Sequence, residues 1–262
     1  MNNKFGLSNE YTLAKVLQIK HYTRTLFSFK TTRPSKFRFK PGEFVMIGLI
    51  LRGKFIFRAY SICSPTWHNA LEFYSIKVPN GPFTSFLQKI TTDSSIIIKT
   101  KSTGTLILDS LTPGKRLFLL CTGTGIAPFI SIISDPETYI KYNEVIVVLT
   151  CRFSQELRYF NYKIKQLLKQ PHIESHAKNK LRFYLSTTQE PYPYSGRITW
   201  LIKSGTLIAD LNTYTLNKRD RFMICGSQQM ILDVVNLLKS IGYIEGTINN
   251  PQDFVYEKAF VN

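Results

Sequence analysis

At 262 residues, 44% of them hydrophobic and 13% aromatic, the chain can bury substantial cores in one large or two ordinary domains, which excludes wholesale disorder. Thirty-four Lys and Arg against 17 Asp and Glu leave a formal net charge of +17, which favours an acidic partner. The cations are spread from end to end, with no dense tract interleaved with stacking aromatics, so nucleic acid is not the expected partner.

Cys63, Cys121, Cys151 and Cys225 lie far apart with no C-x2-C pair. That spacing provides neither a zinc site nor the clustered thiolates of an iron–sulfur centre, so no metal is expected and the thiols read as free and buried. The first residues contain no apolar signal segment, and a cytoplasmic location is expected.

Between residues 11 and 99, short apolar-alternating runs at 12–19, 25–31, 43–49, 71–78 and 95–99 are separated by turn residues such as Pro41, Gly42, Asn80 and Gly81. They predict a small antiparallel barrel. Arg58, Ala59, Tyr60 and Ser61 form an extended segment in which Arg58, Tyr60 and Ile62 share one face and Ser61 takes the other. An arginine can grip a phosphate bidentately, a tyrosine can lie on a planar heterocycle, and a serine can hydrogen-bond a ring nitrogen. A plain strand with one surface arginine has the same pattern. Residues 81–88 predict a short helix whose first turn, with the Thr84 and Ser85 hydroxyls, is either an anion site or simply capped.

Residues 109–115 read as a linker. Beyond it, strands at 116–121, 144–150, 181–185 and 221–225 alternate with helices at 127–134, 154–169, 199–204 and 228–240, the rhythm of a doubly wound parallel sheet. The boundary divides the chain into 1–110 and 111–262. Residues 117–134 lack any charge, but Gly123, Gly125 and Pro128 at their centre predict strand, turn and helix instead of a membrane span. The turn from Thr122 to Pro128 is G-x-G-x-x-P, placed where a backbone must approach a ligand. A second glycine turn, Cys225 and Gly226, follows the last predicted strand. Both turns lie at carboxyl ends of strands and should face one crevice.

The combination of Arg58-x-Tyr60-Ser61, residues 72–78, Gly81-Pro82-x-Thr84-Ser85, the turn 122–128, Cys225-Gly226 and the ending 257–261 resembles the ferredoxin–NADP+ reductase family across nearly the whole chain. The resemblance implies FAD in the barrel. Arg58 would hold the pyrophosphate with Gly81, Thr84 and Ser85; Ala59 and Tyr60 would contact the cofactor, with Tyr60 stacking on the flavin; Ser61 would lie near N5. Tyr74, Ile76, Lys77 and Val78 would line it, Thr124 would border it, and Ala259 and Phe260 would cover the flavin and approach the adenine as residues 257–262 return to the barrel. For NADP(H), the resemblance implies Thr122, Gly123, Cys225 and Gly226 at the nicotinamide end, and Arg152, Thr188 and Arg197 at the adenosine end. It makes Ser61, Cys225 and Glu257 the catalytic candidates. Gln189 stands where related chains carry an arginine, a departure that should weaken the preference for NADP+.

The function so implied is electron transfer between NADP(H) and an acidic ferredoxin or flavodoxin by a monomer, with hydride exchange at flavin N5 followed by single-electron steps. Two alternatives stand beside it: a related reductase serving an oxygenase component or free flavin, and a basic binding protein on a degenerate flavin fold.

Overall fold

The alternation read between residues 11 and 99 builds six strands: β1 (Tyr11–His21), β2 (Leu26–Thr32), β3 (Phe44–Leu51), β4 (Lys54–Ser61), β5 (Ala70–Ile76) and β6 (Ser95–Lys99). The structure, a computed structural model, describes residues 10–51, 53–78 and 81–258. The strands form one antiparallel sheet in the order β4-β3-β6-β1-β2-β5. Its two edges approach at a bridge between Ile62 and Phe73, where the Cys63 amide donates to Glu72 O at 2.8 Å. The sheet thereby curls around a core of Val16, Phe27, Phe29, Ile47, Tyr60, Phe73 and Ile98. Each fully buried apolar side chain contributes roughly 1.5–3 kcal/mol. One short helix, α1 (Thr84–Leu87), caps the sheet with Leu87.

The alternating run at 71–78 supplies β5. Both faces of β5 are buried. Leu71 and Phe73 enter the barrel core, while Tyr74 belongs to a second core beneath the following domain. A strand clamped between two cores cannot show one-sided patterning.

After residue 115 the chain forms β7 (Arg116–Thr122), α2 (Ala127–Ile133), α3 (Pro136–Lys141), β8 (Glu144–Cys151), α4 (Arg158–Leu167), α5 (Pro171–Ala177), β9 (Leu181–Thr187), β10 (Tyr194–Ser195), α6 (Ile198–Lys203), α7 (Thr206–Asp210), β11 (Asp220–Gly226), α8 (Gln228–Ser240) and β12 (Phe254–Lys258). All strands here are parallel, ordered β10-β9-β8-β7-β11-β12. Side chains alternate between two layers. Leu117, Leu119 and Cys121 face the core shared with α2 to α5, whereas Phe118 and Leu120 face the core shared with α6 to α8. This is the doubly wound arrangement read from the alternation of runs.

Several short elements escape the periodicity argument. Helices α3 and α5 are marked by a proline in the first turn, and Asp135 caps α3 by accepting from the Glu137 amide at 2.8 Å. Six or seven residues are too few for a helical stripe to stand out. Strand β12 pairs with β11 over Phe254–Lys258 and adds an edge to the sheet. The stretch 117–134 resolves into strand, 3-10 turn and helix. Among the described residues no helix is long and apolar enough to cross a membrane, and all four cysteines are buried free thiols.

The base of the second sheet is pinned by a buried bidentate pair. Arg116 Nε and Nη2 donate to Asp220 Oδ1 and Oδ2, both at 2.6 Å, and the same guanidinium bonds Tyr214 O and Thr215 O. Removing one partner leaves an uncompensated buried charge. Asp220→Ala should therefore lower unfolding stability by about 3–5 kcal/mol in urea titrations. Lys15→Ala, which breaks the exposed 2.7 Å pair with Asp93, should change it by no more than about 1 kcal/mol.

Candidate functional site

The order of the second sheet reverses between β7 and β11, and the two glycine turns meet there. A Cβ on Gly125 would stand 2.1 Å from Cys225 O, and one on Gly226 would stand 2.3 Å from Thr122 Oγ1. These glycines exist so that the turns can touch. Gly123 serves differently: its φ is +53° and nothing lies within 4 Å of its Cβ position. The same G-x-G motif thus supplies one glycine for packing and one that opens the backbone toward the crevice. Thr122 Oγ1 accepts from the Ser227 amide at 3.2 Å, Thr124 is buried, and the 3-10 turn over Gly123–Ile126 runs into α2.

Cys225 lies beside this contact, 1% exposed, its thiol pushed up by burial and then by the neighbouring Glu257 carboxylate. Register pairs Cys225 with Glu257 across β11 and β12. Glu257 Oε1 accepts from the Thr105 amide and from Thr105 Oγ1, the latter at 3.2 Å. Gly104, with φ +150°, permits this approach, since its Cβ would fall 2.8 Å from the same oxygen. Burial raises the Glu257 carboxyl to about 7, against hydrogen bonds from Thr105 and Leu106 that favour ionisation. The crevice therefore holds a carboxyl able to take up or release a proton near neutrality.

The barrel contributes the opposite wall. Arg58, opposite Ile47 on β3, makes one hydrogen bond, Nη1 to Phe57 O at 2.8 Å, and has no carboxylate partner among the described residues. The Tyr60 ring is 9% exposed, held from the core side by Phe29, Phe73 and Phe83 with its hydroxyl 3.2 Å from Ser75 Oγ. Ala59 is exposed and Ser61 half-buried on the other face. Tyr74 stacks on Tyr159 at 3.9 Å and 11°, and its hydroxyl is buried with no partner among the described residues. Ile76 and Lys77 are half-buried and Val78 is exposed.

The Thr84 and Ser85 hydroxyls were expected at an anion site. In the structure they are occupied locally: Thr84 Oγ1 accepts from the Val78 amide at 3.1 Å, and Ser85 Oγ donates to Gly81 O at 2.6 Å. Ala259 and Phe260 lie outside the described residues.

At the outer strand ends, Arg152 follows β8, and the Thr188 and Gln189 amides donate to Cys151 O and Arg152 O, each at 3.0 Å. The Gly196 amide donates to Thr187 O at 3.1 Å and leads into Arg197, exposed at the start of α6. Arg152, Thr188, Gln189 and Arg197 therefore gather at the carboxyl ends of β8 and β9. Neither arginine forms an ion pair among the described residues.

A family profile described as an oxidoreductase FAD-binding domain matches residues 10–107. The chain is 49% identical to a flavodoxin/ferredoxin–NADP reductase of Rhodobacter capsulatus over 94% of its own length and 92% of the relative's. It is 46% identical to a ferredoxin–NADP reductase of Pseudomonas aeruginosa, over 97% and 99%. The chain belongs to the ferredoxin/flavodoxin–NADP reductase family. A crystal structure of a ferredoxin NADP+ reductase from Neisseria gonorrhoeae, with bound FAD and NADP, superposes with a TM-score of 0.88 at 32% identity, over 97% of this chain and all of that one.

Within this reductase fold, sequence reasoning missed Gly104 and Thr105, which hold Glu257, and Tyr159 and Lys163 of α4, which face β5. Gly104 and Thr105 sit in an unpatterned loop, and no local signal announces a partner 152 residues away. Tyr159 and Lys163 are one helical turn apart, a spacing visible in the sequence, but their target on β5 is not.

Two substitutions test this geometry. Glu257 holds its proton more tightly folded than unfolded, so its stabilisation is complete at low pH and is lost as pH rises from the ordinary carboxylate range to about 7. Glu257→Gln should raise Tm over the wild type more at about pH 8 than at about pH 5, as read by calorimetry. Tyr74→Phe removes an unpartnered buried hydroxyl and should leave the stability of flavin-free protein unchanged or raise it by up to about 1 kcal/mol.

Proposed function

We propose that this chain is an FAD-dependent reductase that passes electrons between NADP(H) and ferredoxin or flavodoxin, acting as a monomer. The observation that supports the reading is a set of groups without protein partners among the described residues, lying on the segments that the family resemblance assigns to the cofactors. These are the remaining N–H donors of Arg58, the open backbone at Gly123 and the orphaned Tyr74 hydroxyl. Each suits a different part of a flavin dinucleotide: a diphosphate for the guanidinium, close backbone approach at the glycine, a polar acceptor at the phenol. Residues 1–110 form the flavin-binding unit in this reading and 111–262 the NADP(H)-binding unit, with 257–262 returning to the flavin.

Bound FAD supplies the exchange between two-electron and one-electron chemistry, which no side chain here provides. The protein binds, orients and shields. Arg58 grips the diphosphate, with Gly81 and the backbone of Thr84 and Ser85 nearby, since both hydroxyls are already engaged. Tyr60, fixed from behind by three phenylalanines, presents its remaining surface to the flavin beside Ala59. Ser61, on the other side of the strand, hydrogen-bonds the ring edge. Ile76, Lys77 and Val78 would line the cofactor where the chain leaves β5. Thr122, Gly123 and Thr124 border both cofactors, while Cys225 and Gly226 keep side-chain bulk out of the nicotinamide's place. Glu257 holds a proton at Oε2, the oxygen that Thr105 leaves free, and positions the nicotinamide. Arg152, Thr188 and Arg197 receive the 2′-phosphate end.

Anaerobic titration with NADPH and NADH side by side tests the reading. NADPH should bleach the bound flavin faster than NADH, and added ferredoxin or flavodoxin should restore the oxidised spectrum. Protein that takes up no FAD overturns it. Gln189 is exposed between the two arginines' loops, so Gln189→Arg should raise the NADPH over NADH preference in kcat/KM by about tenfold, the effect of one added charge-assisted hydrogen bond.

A further inference from the structure

Two clefts adjoin on the barrel and share Arg38. The first, about 450 Å³, is lined by Arg33, Arg38 and Thr66; the second, about 580 Å³, by Lys36, Arg38, Lys40, Glu43, Lys101 and Ser102. Five of these side chains are cations. Lys40 is neutralised by Asp109 at 2.8 Å, and Glu43 Oε2 is occupied by Ser102 Oγ at 2.6 Å and the Lys40 amide at 2.9 Å. Arg33, Lys36, Arg38 and Lys101 form no ion pair within 4.0 Å among the described residues.

The two guanidiniums are held by carbonyl groups, which fix their position without cancelling their charge. Arg33 donates from Nε and Nη2 to Phe37 O, at 3.1 and 2.9 Å, and from Nη1 to Thr66 O and His68 O. Arg38 donates from Nη1 to Ser35 O at 2.9 Å and Phe37 O at 3.0 Å. The proximity of Arg38 adds to burial in lowering the Arg33 pKa. Like charges held together in a cleft favour carboxylates arriving from outside.

The clefts also abut the redox crevice. Glu43, in the second cleft, has its Cα 3.3 Å from the Cβ position of Gly104, and that position is 2.8 Å from Glu257 Oε1. A protein seated here stands beside the carboxyl that the proposed reading places near the flavin.

We infer that the paired clefts around Arg38 are the docking surface for the acidic one-electron carrier, whose carboxylates meet Arg33, Lys36, Arg38 and Lys101. The inference rests on the reading that such a carrier is this protein's redox partner. It assigns the part of the +17 charge that steers it, since rim charges act mainly on encounter rate and salt dependence.

The test uses the flavin-loaded protein with a purified acidic flavodoxin. The variants are Lys36→Glu with Lys101→Glu, both fully on the surface, Arg38→Ala, and a control, Lys178→Glu, beyond α5 on the other domain. Three quantities are read: bleaching by NADPH alone, calorimetric Kd for the flavodoxin, and KM for its reduction at low and high salt. Bleaching should stay within about twofold of the wild type in every variant, while Kd and KM rise about tenfold or more for the cleft variants at low salt, converging with the wild type as salt screens the charges. Flavodoxin binding unchanged in the cleft variants overturns the inference, as does equal weakening by Lys178→Glu. Failure of NADPH to bleach the wild-type flavin overturns the reductase reading instead, and the calorimetric Kd still decides the docking surface.

Discussion

A carboxylate and an ammonium face each other out of water where the barrel meets the second sheet. Glu72 Oε2 lies 2.8 Å from Lys163 Nζ, with the two side chains 3% and 10% exposed. Taking both ions out of water costs several kcal/mol each, repaid only when geometry is good and the remaining lone pairs are satisfied. Here Tyr159 Oη approaches Glu72 Oε1 at 3.5 Å and Lys30 stands 3.9 Å from Oε2. Tyr159 also stacks on Tyr74, and Tyr22 meets both rings edge-on. Polar and aromatic contacts thus fasten α4 to β5, one of the two strands to which the barrel's candidate site residues belong. A second tie is shorter in sequence terms: Ser131 Oγ of α2 donates to Ser64 O at 3.0 Å, three residues beyond Ser61. The helix that grows out of the glycine turn is therefore bonded directly to the segment of Arg58 and Ser61. Together these contacts hold the barrel and the second domain at a fixed separation.

What was legible in the sequence follows from how local its cause is. The glycine turn could be read because Gly123 and Gly125 are two residues apart and sit between an apolar strand and a proline-opened helix. The strand–helix rhythm after residue 115 could be read because β7, β8 and β11 are apolar on both faces. Helix α8 begins at Gln228 and ends at Ser240, the bounds read from the sequence, and Ser227 caps it by accepting from the Met230 amide. Burial on both faces of β5 could not be read from the sequence, because its second face is covered by α4, some ninety residues away (Lys163 on Glu72 is a separation of 91). The Gly104–Glu257 approach was illegible for the same reason. A glycine in a loop gives no sign of which distant oxygen it makes room for.

The Thr84 and Ser85 hydroxyls have partners within their own turn. Their pattern marks the place where the chain turns at Gly81 into α1, and the structure uses both side chains to close that turn. A four-residue helix has too little aligned backbone to act as a dipole of its own. Arg58, by contrast, makes one side-chain hydrogen bond, to Phe57 O, and its other donors are unengaged among the described residues.

The charges divide by depth into two roles. Buried ions are matched: Arg116 with Asp220, Lys163 with Glu72, Arg221 with Asp253 at 3.3 Å. Each of these pairs joins segments remote in sequence, and the low dielectric around them makes any mismatch costly, which favours one arrangement of the two sheets. The exposed cations have no such constraint, and an even coating would attract acidic molecules without orienting them. Orientation requires charges that are both uncompensated and fixed. Arg33 and Arg38 meet that condition because carbonyl oxygens hold their guanidiniums in place. Position along the chain then matters less than whether a cation meets a carboxylate: Arg116 and Arg221 do, inside the second domain, whereas Arg33 and Arg38 are held by carbonyl oxygens alone and keep their charge uncompensated among the described residues.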